Sequence, residues 1–194
     1  PRLVLARILR EHRDELFAKN STPSYLKLIE AQADLLSERL ERHVLEFEKP
    51  LAQLRLDEIP RREFKVEGRL FEQNFKGIID RIDRLPGNRL LLWDYKTGAV
   101  RESKAESQFK QGRFQWFLYR ELLRASDAPN EVIGGGYINP LDPSKSALFI
   151  FEDRARELTA SLLDLFESNG HAVQVIDRAL ELKTSAMLEE TITT

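Results

Sequence analysis

The stretch that most restricts the fold is Gly77–Gly98, GIIDRIDRLPGNRLLLWDYKTG. Two apolar runs flank Leu85-Pro86-Gly87-Asn88, residue types that turn a chain back on itself. The runs therefore pair as a hairpin. Each is apolar enough to be half buried, yet they carry Asp80, Asp83 and Asp94, and the second adds Lys96. Charge at a buried position is costly unless it is paired or bound to a metal.

Side chains two residues apart on a strand share a face. On the second strand Leu90, Leu92, Asp94 and Lys96 fall together, opposite Leu91, Trp93 and Tyr95. On the first, Ile78, Asp80 and Ile82 fall together, opposite Ile79, Arg81 and Asp83. Continued pairing brings Asp80 up to Asp94, with Lys96 alongside. Two close carboxylates repel, and burial raises their pKa. A hard divalent cation removes that penalty, and Mg²⁺ is typically held by one or two carboxylates plus a substrate phosphate. A neighbouring lysine can orient or deprotonate a water, or neutralise charge building on the phosphate. Phosphodiester hydrolysis requires this set.

The acid-x-Lys pattern alone is weak, because Glu63-Phe64-Lys65, Glu102-Ser103-Lys104 and Glu181-Leu182-Lys183 repeat it. From spacing alone, an exposed strand-end ion pair accounts for Asp94 and Lys96. The apolar strand, the aspartate on the preceding strand, and Gly77 and Gly98, which allow close backbone approach, favour a site.

Around the hairpin the period changes repeatedly. LVLARILREHRDELF and YLKLIEAQADLLSERLERHVLEFE have helical spacing, separated at NSTPS. EFKVEG alternates as a strand does. Helical spacing returns from about Ser103 to Ala125, EVIGGGYINP and ALFIFE read as strands, and RARELTASLLDLFES reads as a helix. For the end of the chain the expectation is a helix through VIDRALELK with a loose terminus. The order α-α-β-β-β-α-β-β-α predicts a mixed α+β fold: a largely antiparallel, hairpin-based mixed sheet flanked by helices. One domain over 1–194 is expected, with a helical part at 1–50, a core at 60–170 and an unplaced segment at 171–194. The start at Pro1 fits a domain excised from a longer protein.

In the helix after the hairpin, Gln115 and Tyr119 are four residues apart and share a face, with Gln111 on it and Arg113 and Arg120 nearby. An amide and a phenol beside a metal site can contact a nucleotide backbone or stack on a base. An ordinary amphipathic helix with tyrosine at its boundary is the simpler reading of the spacing.

Composition narrows the classes. With 32 acidic and 30 basic residues the net charge is −2, so nucleic-acid binding would rest on local clustering. The chain has no cysteine, which excludes disulfides, cysteine-ligated zinc, iron–sulfur clusters and thiol nucleophiles. A reducing, cytoplasmic setting is compatible with this. No apolar run approaches the roughly 18–20 residues of a membrane span.

GIIDRID, LLLWDYKTG and the helical QWFLY together resemble the RecB-like branch of the PD-(D/E)XK nuclease superfamily. That branch carries G-x-x-D-R-I-D, D-Y-K-T-G and Q-x-x-x-Y motifs in this order at similar distances. The resemblance is close over about 63–123. It implies a restriction-endonuclease-like core and a metal-dependent DNA nuclease, most simply an exonuclease of repair or recombination. It implies Asp80 and Asp94 as metal-binding carboxylates, the backbone carbonyl of Tyr95 as a further ligand, and Lys96 as the catalytic lysine. Gln115 and Tyr119 would place the DNA strand near Mg²⁺ or Mn²⁺. Partners would be DNA and a helicase or other subunits of a repair complex, with no membrane. Arg81 and Asp83 look structural. Relatives often complete the metal shell with an early G-x-x-x-H histidine. Here His12, His43 and His171 all lack that glycine, and His12 on the first helix is the positional candidate. That departure and the near-neutral charge motivate an alternative: a nuclease fold without catalysis that binds DNA or a partner protein.

Overall fold

The computed structural model describes residues 23–54, 61–96, 98, 104–126, 131–142, 145–152 and 156–193. The first helix expected from the sequence, with His12, lies outside them. A long helix α1 (Pro23–His43) leads into a π-helical turn (Val44–Glu48) and a last helical turn α2 (Lys49–Ala52). Strands β1 (Arg61–Leu70), β2 (Gln73–Leu85) and β3 (Arg89–Tyr95) follow, then α3 (Ala105–Lys110) and α4 (Gln115–Ala125). The chain continues through β4 (Glu131–Ile138), β5 (Ala147–Phe151), α5 (Arg156–Ser168), β6 (Val173–Ile176) and α6 (Arg178–Thr193). Among the described residues no helix is long and apolar enough to cross a membrane.

The six strands form one mixed sheet in chain order, β1-β2-β3-β4-β5-β6. The β1–β2, β2–β3 and β4–β5 pairs are antiparallel; β3–β4 and β5–β6 are parallel. Parallel neighbours need a crossover, and helices α3 and α4 provide the first and α5 the second. The expected mixed sheet with flanking helices is therefore the observed architecture.

The sheet separates two cores. On one face Leu90, Leu92, Phe149 and Ile82 pack with Trp116, Phe117 and Leu122 of α4 and Leu188 of α6. On the other, Leu85, Leu91, Trp93 and Ile150 pack with Phe47, Leu51, Leu162 and Phe166. Every residue of β5 is buried, as expected for a strand covered on both sides. Burying one such large apolar side chain stabilises by about 1.5–3 kcal/mol.

Three sequence expectations are corrected. The helix expected from Ser103 to Ala125 is two helices, broken where Gly112 takes φ +68°, a left-handed conformation that stops α-helical hydrogen bonding. The segment read as one helix through Val175–Lys183 is a strand, β6, followed by α6. Both join the core through Ile176 and Leu188, so the end of the chain is part of the folded body. Finally, Ile78 is 49% exposed while Ile79 packs in the same core as Ile82. The alternation of faces along β2 thus slips between Ile79 and Ile82, at Asp80.

Candidate active site

The hairpin forms as its turn chemistry predicts, with Gly87 and Asn88 at positive φ. Its register pairs Arg81 with Trp93, Ile82 with Leu92 and Asp83 with Leu91. The paired ladder stops there. Beyond it the Asp80 carboxylate replaces the backbone, its Oδ2 accepting the Tyr95 N–H at 2.7 Å. The acid on β2 is thereby fixed to the strand end that carries Asp94 and Lys96.

Asp94 is only 3% exposed. Burial pushes its carboxyl pKa up and the negative charge of Asp80 adds to this; Lys96 pulls the other way. Lys96 Nζ stands 2.6 Å from Asp94 Oδ2. The contact is a close ion pair without hydrogen-bond alignment, and Oδ2 accepts no well-formed hydrogen bond among the described residues. A buried carboxylate whose one close partner is a half-exposed ammonium, with a second carboxylate acting on it, fits a hard cation that takes oxygen ligands.

Helix α4 presents its first turn to this pair. The Trp116 indole N–H donates to the Leu92 carbonyl at 2.8 Å. The Tyr137 hydroxyl donates to the Arg113 carbonyl at 2.8 Å and accepts the Trp116 backbone N–H at 3.3 Å. These bonds pin the start of α4 over β3 and β4 and satisfy a helix-start N–H that has no capping side chain. Gln115 then accepts from Lys96 Nζ at 3.4 Å and donates from Nε2 to the Tyr119 hydroxyl at 2.6 Å. Tyr119 in turn lies against Gly77. A Cβ there would come within 2.4 Å of its ring, so the close approach expected of Gly77 is real. Gly98 has open space around the same position and serves no such approach.

The structure thus brings Asp94, Lys96, Gln115 and Tyr119 into one chain of contacts, with Asp80 bonded to the Tyr95 N–H next along the strand from Asp94. Arg120 is not part of it. Its guanidinium stacks on Phe151 at 3.6 Å and pairs with Glu121 and Glu181, tying α4 to α6.

Arg81 and Asp83 form the structural pair expected of them. Arg81 Nε donates to both Asp83 oxygens at 3.0 and 3.1 Å, and the Trp93 indole adds a bond at 2.6 Å. Burial raises the Asp83 pKa, against the opposing charge and hydrogen bonds of Arg81.

Sequence reading missed two residues here. His43 and Glu48 line, with Arg62, Glu63, Asp80 and Tyr95, an open cleft of about 580 Å³. Glu48 Oε1 accepts from Arg81 and lies 3.5 Å from His43 Nε2. Burial pushes the Glu48 carboxyl up, but His43 and Arg81 outweigh it and hold the pKa at about 2. The two residues are five apart, a spacing that divides them between faces of an α-helix but aligns them across a π-turn. The unusual turn hid the pairing. Among the described residues no three His, Cys, Asp or Glu side chains stand close enough together to hold a metal ion.

A family model described as the PD-(D/E)XK nuclease superfamily matches residues 2–190. No curated protein matches the chain.

Proposed function

Because the chain belongs to the PD-(D/E)XK nuclease superfamily, we propose that it is a Mg²⁺- or Mn²⁺-dependent deoxyribonuclease centred on Asp80, Asp94 and Lys96. The observation that carries this is the buried Asp94 carboxylate, raised in pKa partly by the charge of Asp80 and standing 2.6 Å from Lys96 Nζ. The order of the DRID, DYKTG and Q-x-x-x-Y motifs supports the RecB-like branch. With that branch comes an exonuclease role in repair or recombination, beside a helicase or other repair subunits.

Asp80, Asp94 and the Tyr95 backbone carbonyl would hold the cation. When bound, it supplies Lewis-acid polarisation of the scissile phosphate. Lys96 keeps a positive charge at the rim of the site, where negative charge develops on the phosphoryl oxygens. Its ammonium is held from two sides, by Asp94 and by Gln115. Gln115 and Tyr119 then give a polar ledge for the DNA strand. Their mutual hydrogen bond fixes the amide so that its oxygen faces Lys96.

The expected result is cleavage of linear DNA in Mg²⁺ or Mn²⁺, lost in Asp94→Ala and in Lys96→Ala. Full activity in both variants would mean that the site is misplaced. The departure from the family's glycine-histidine pattern and the near-neutral charge favour a second reading, a nuclease fold that binds DNA or a partner protein without cutting. Calorimetric titration with Mn²⁺ separates the two. Uptake that depends on the aspartates supports the nuclease; no uptake at millimolar Mn²⁺ with DNA present supports the binding module.

A further inference from the structure

Beside Asp80, in the cleft that it and Tyr95 share with Glu48, lies a polar network that the proposed chemistry does not use. Arg81 is its hub and is 2% exposed. One edge of the guanidinium faces Asp83, which is completely buried and takes both Nε contacts. The NH1 nitrogen points the other way, donating to Glu48 and to the Tyr95 hydroxyl, the latter at 3.2 Å. Asp83 alone balances the Arg81 charge. Glu48 is a second carboxylate on the same cation, so neutrality does not require it.

What Glu48 adds is direction. Arg81 NH1 can meet Tyr95 only while the guanidinium keeps its rotation, and Glu48 holds it from the cleft side. Tyr95 is the residue whose backbone N–H binds Asp80 at 2.7 Å and whose peptide continues from Asp94. A path of hydrogen bonds therefore runs Glu48–Arg81–Tyr95–Asp80, from the π-turn to the candidate ligands. The π-turn sets its far end. Phe47 is fully buried and edge-on to Trp93 at 5.1 Å, which clamps the turn onto β3. His43 stacks on Phe47 at 5.1 Å and backs Glu48 from the other side.

We propose that Glu48 is a positioning residue for the metal site, acting through Arg81 on Tyr95 and so on Asp80. This rests on the nuclease reading above. Groups that orient metal ligands typically change metal affinity 10–100-fold when removed. A residue that only stabilises the fold changes the melting temperature and leaves the affinity of the folded protein alone.

The test uses the full chain and Mn²⁺ as the probe, with affinity measured by calorimetry without DNA and cleavage measured against Mn²⁺ concentration. Glu48→Gln and Tyr95→Phe are each expected to weaken Mn²⁺ binding about tenfold and to shift the cleavage curve by the same factor. The double variant should lose little more than either single one, because both interrupt one path. Glu121→Gln removes a carboxylate from Arg120, away from the cleft, and should leave Mn²⁺ affinity unchanged. If Glu48→Gln and Tyr95→Phe bind Mn²⁺ as the unmodified chain does, while Asp94→Ala does not bind it, the positioning role is wrong and the nuclease site stands. If the unmodified chain takes up no Mn²⁺ at millimolar concentration even with DNA present, the nuclease reading itself fails. Should Glu48→Gln not fold, Tyr95→Phe decides alone, since it removes one hydroxyl and keeps the Tyr95 backbone.

Discussion

Asp83 and Asp94 are both buried aspartates of one hairpin, and both have a pKa raised first by burial. Their surroundings differ. Asp83 receives both Arg81 contacts and the Trp93 indole N–H, so the protein itself satisfies it. Asp94 has one partly exposed ammonium beside it and the charge of a second aspartate acting on it. A buried charge completed by the fold works for stability. A buried charge left incomplete works against it, and is the one available to an external cation.

The sharpest way to break this comparison is to remove each acid in turn. Asp83→Ala removes the buried acceptor of both Arg81 Nε and the Trp93 indole, leaving Arg81 only the carboxylate of Glu48, and should cost about 3–5 kcal/mol, read as a large fall in the urea midpoint. Asp94→Asn should leave the melting temperature at or above that of the unmodified chain. If Asp94→Asn unfolds the protein as Asp83→Ala does, the two faces are alike and the contrast is false. Next in size is the catalytic side. Lys96→Ala should lower cleavage of linear DNA by about 10²–10³-fold with little change in unfolding, because Lys96 stands at the rim and its loss removes charge stabilisation only.

A smaller effect probes how the two faces are held apart. Gly77→Ala places a methyl group within 2.4 Å of the Tyr119 ring, and overpacking of this kind costs about 1–3 kcal/mol. It should also displace Tyr119 from Gln115. Tyr119→Leu in the same chain should recover the stability and not the cleavage. Recovery of both would mean that Tyr119 only fills space.

The smallest effect concerns His171, buried on the Asp83 side against Phe47 and Phe166. Burial lowers its pKa below 6.5, with only the Glu46 backbone pulling the other way. The unfolded chain therefore takes up this proton first. Its contribution to stability is complete above about pH 6.5 and declines as the pH falls below that value, until the folded protein is protonated too. His171→Leu should flatten the pH dependence of the melting temperature between pH 7 and 5. An unchanged profile would show that another group carries it.

Much of this was legible in the sequence because the signals are local. A Pro-Gly-Asn turn between apolar runs fixes a hairpin, and the hairpin brings Asp80 to Asp94. The i,i+4 spacing of Gln115 and Tyr119 gave a pair that the structure joins by a hydrogen bond. The failures share a cause: each departs from a regular period. Ile79 and Ile82 face one core because the strand slips at Asp80, where a side chain takes over from the backbone. His43 meets Glu48 through a π-turn, and Gly112 breaks an unbroken helical pattern. Short β6 has too few residues to show alternation against the helix that follows it.

The order of the sheet has a kinetic consequence. Strands that neighbour in the sheet also neighbour in the chain, so assembly never requires a strand to slide between two that are already joined. Loop closure is least demanding for the β2–β3 hairpin, and pairings with long crossovers come at greater entropic cost. The aspartates would then meet early, at a time when no helix shields them from water. Gln115 and Tyr119 arrive only with the crossover to β4. The Gln115–Tyr119 pair is in this sense the last part of the proposed site to be built.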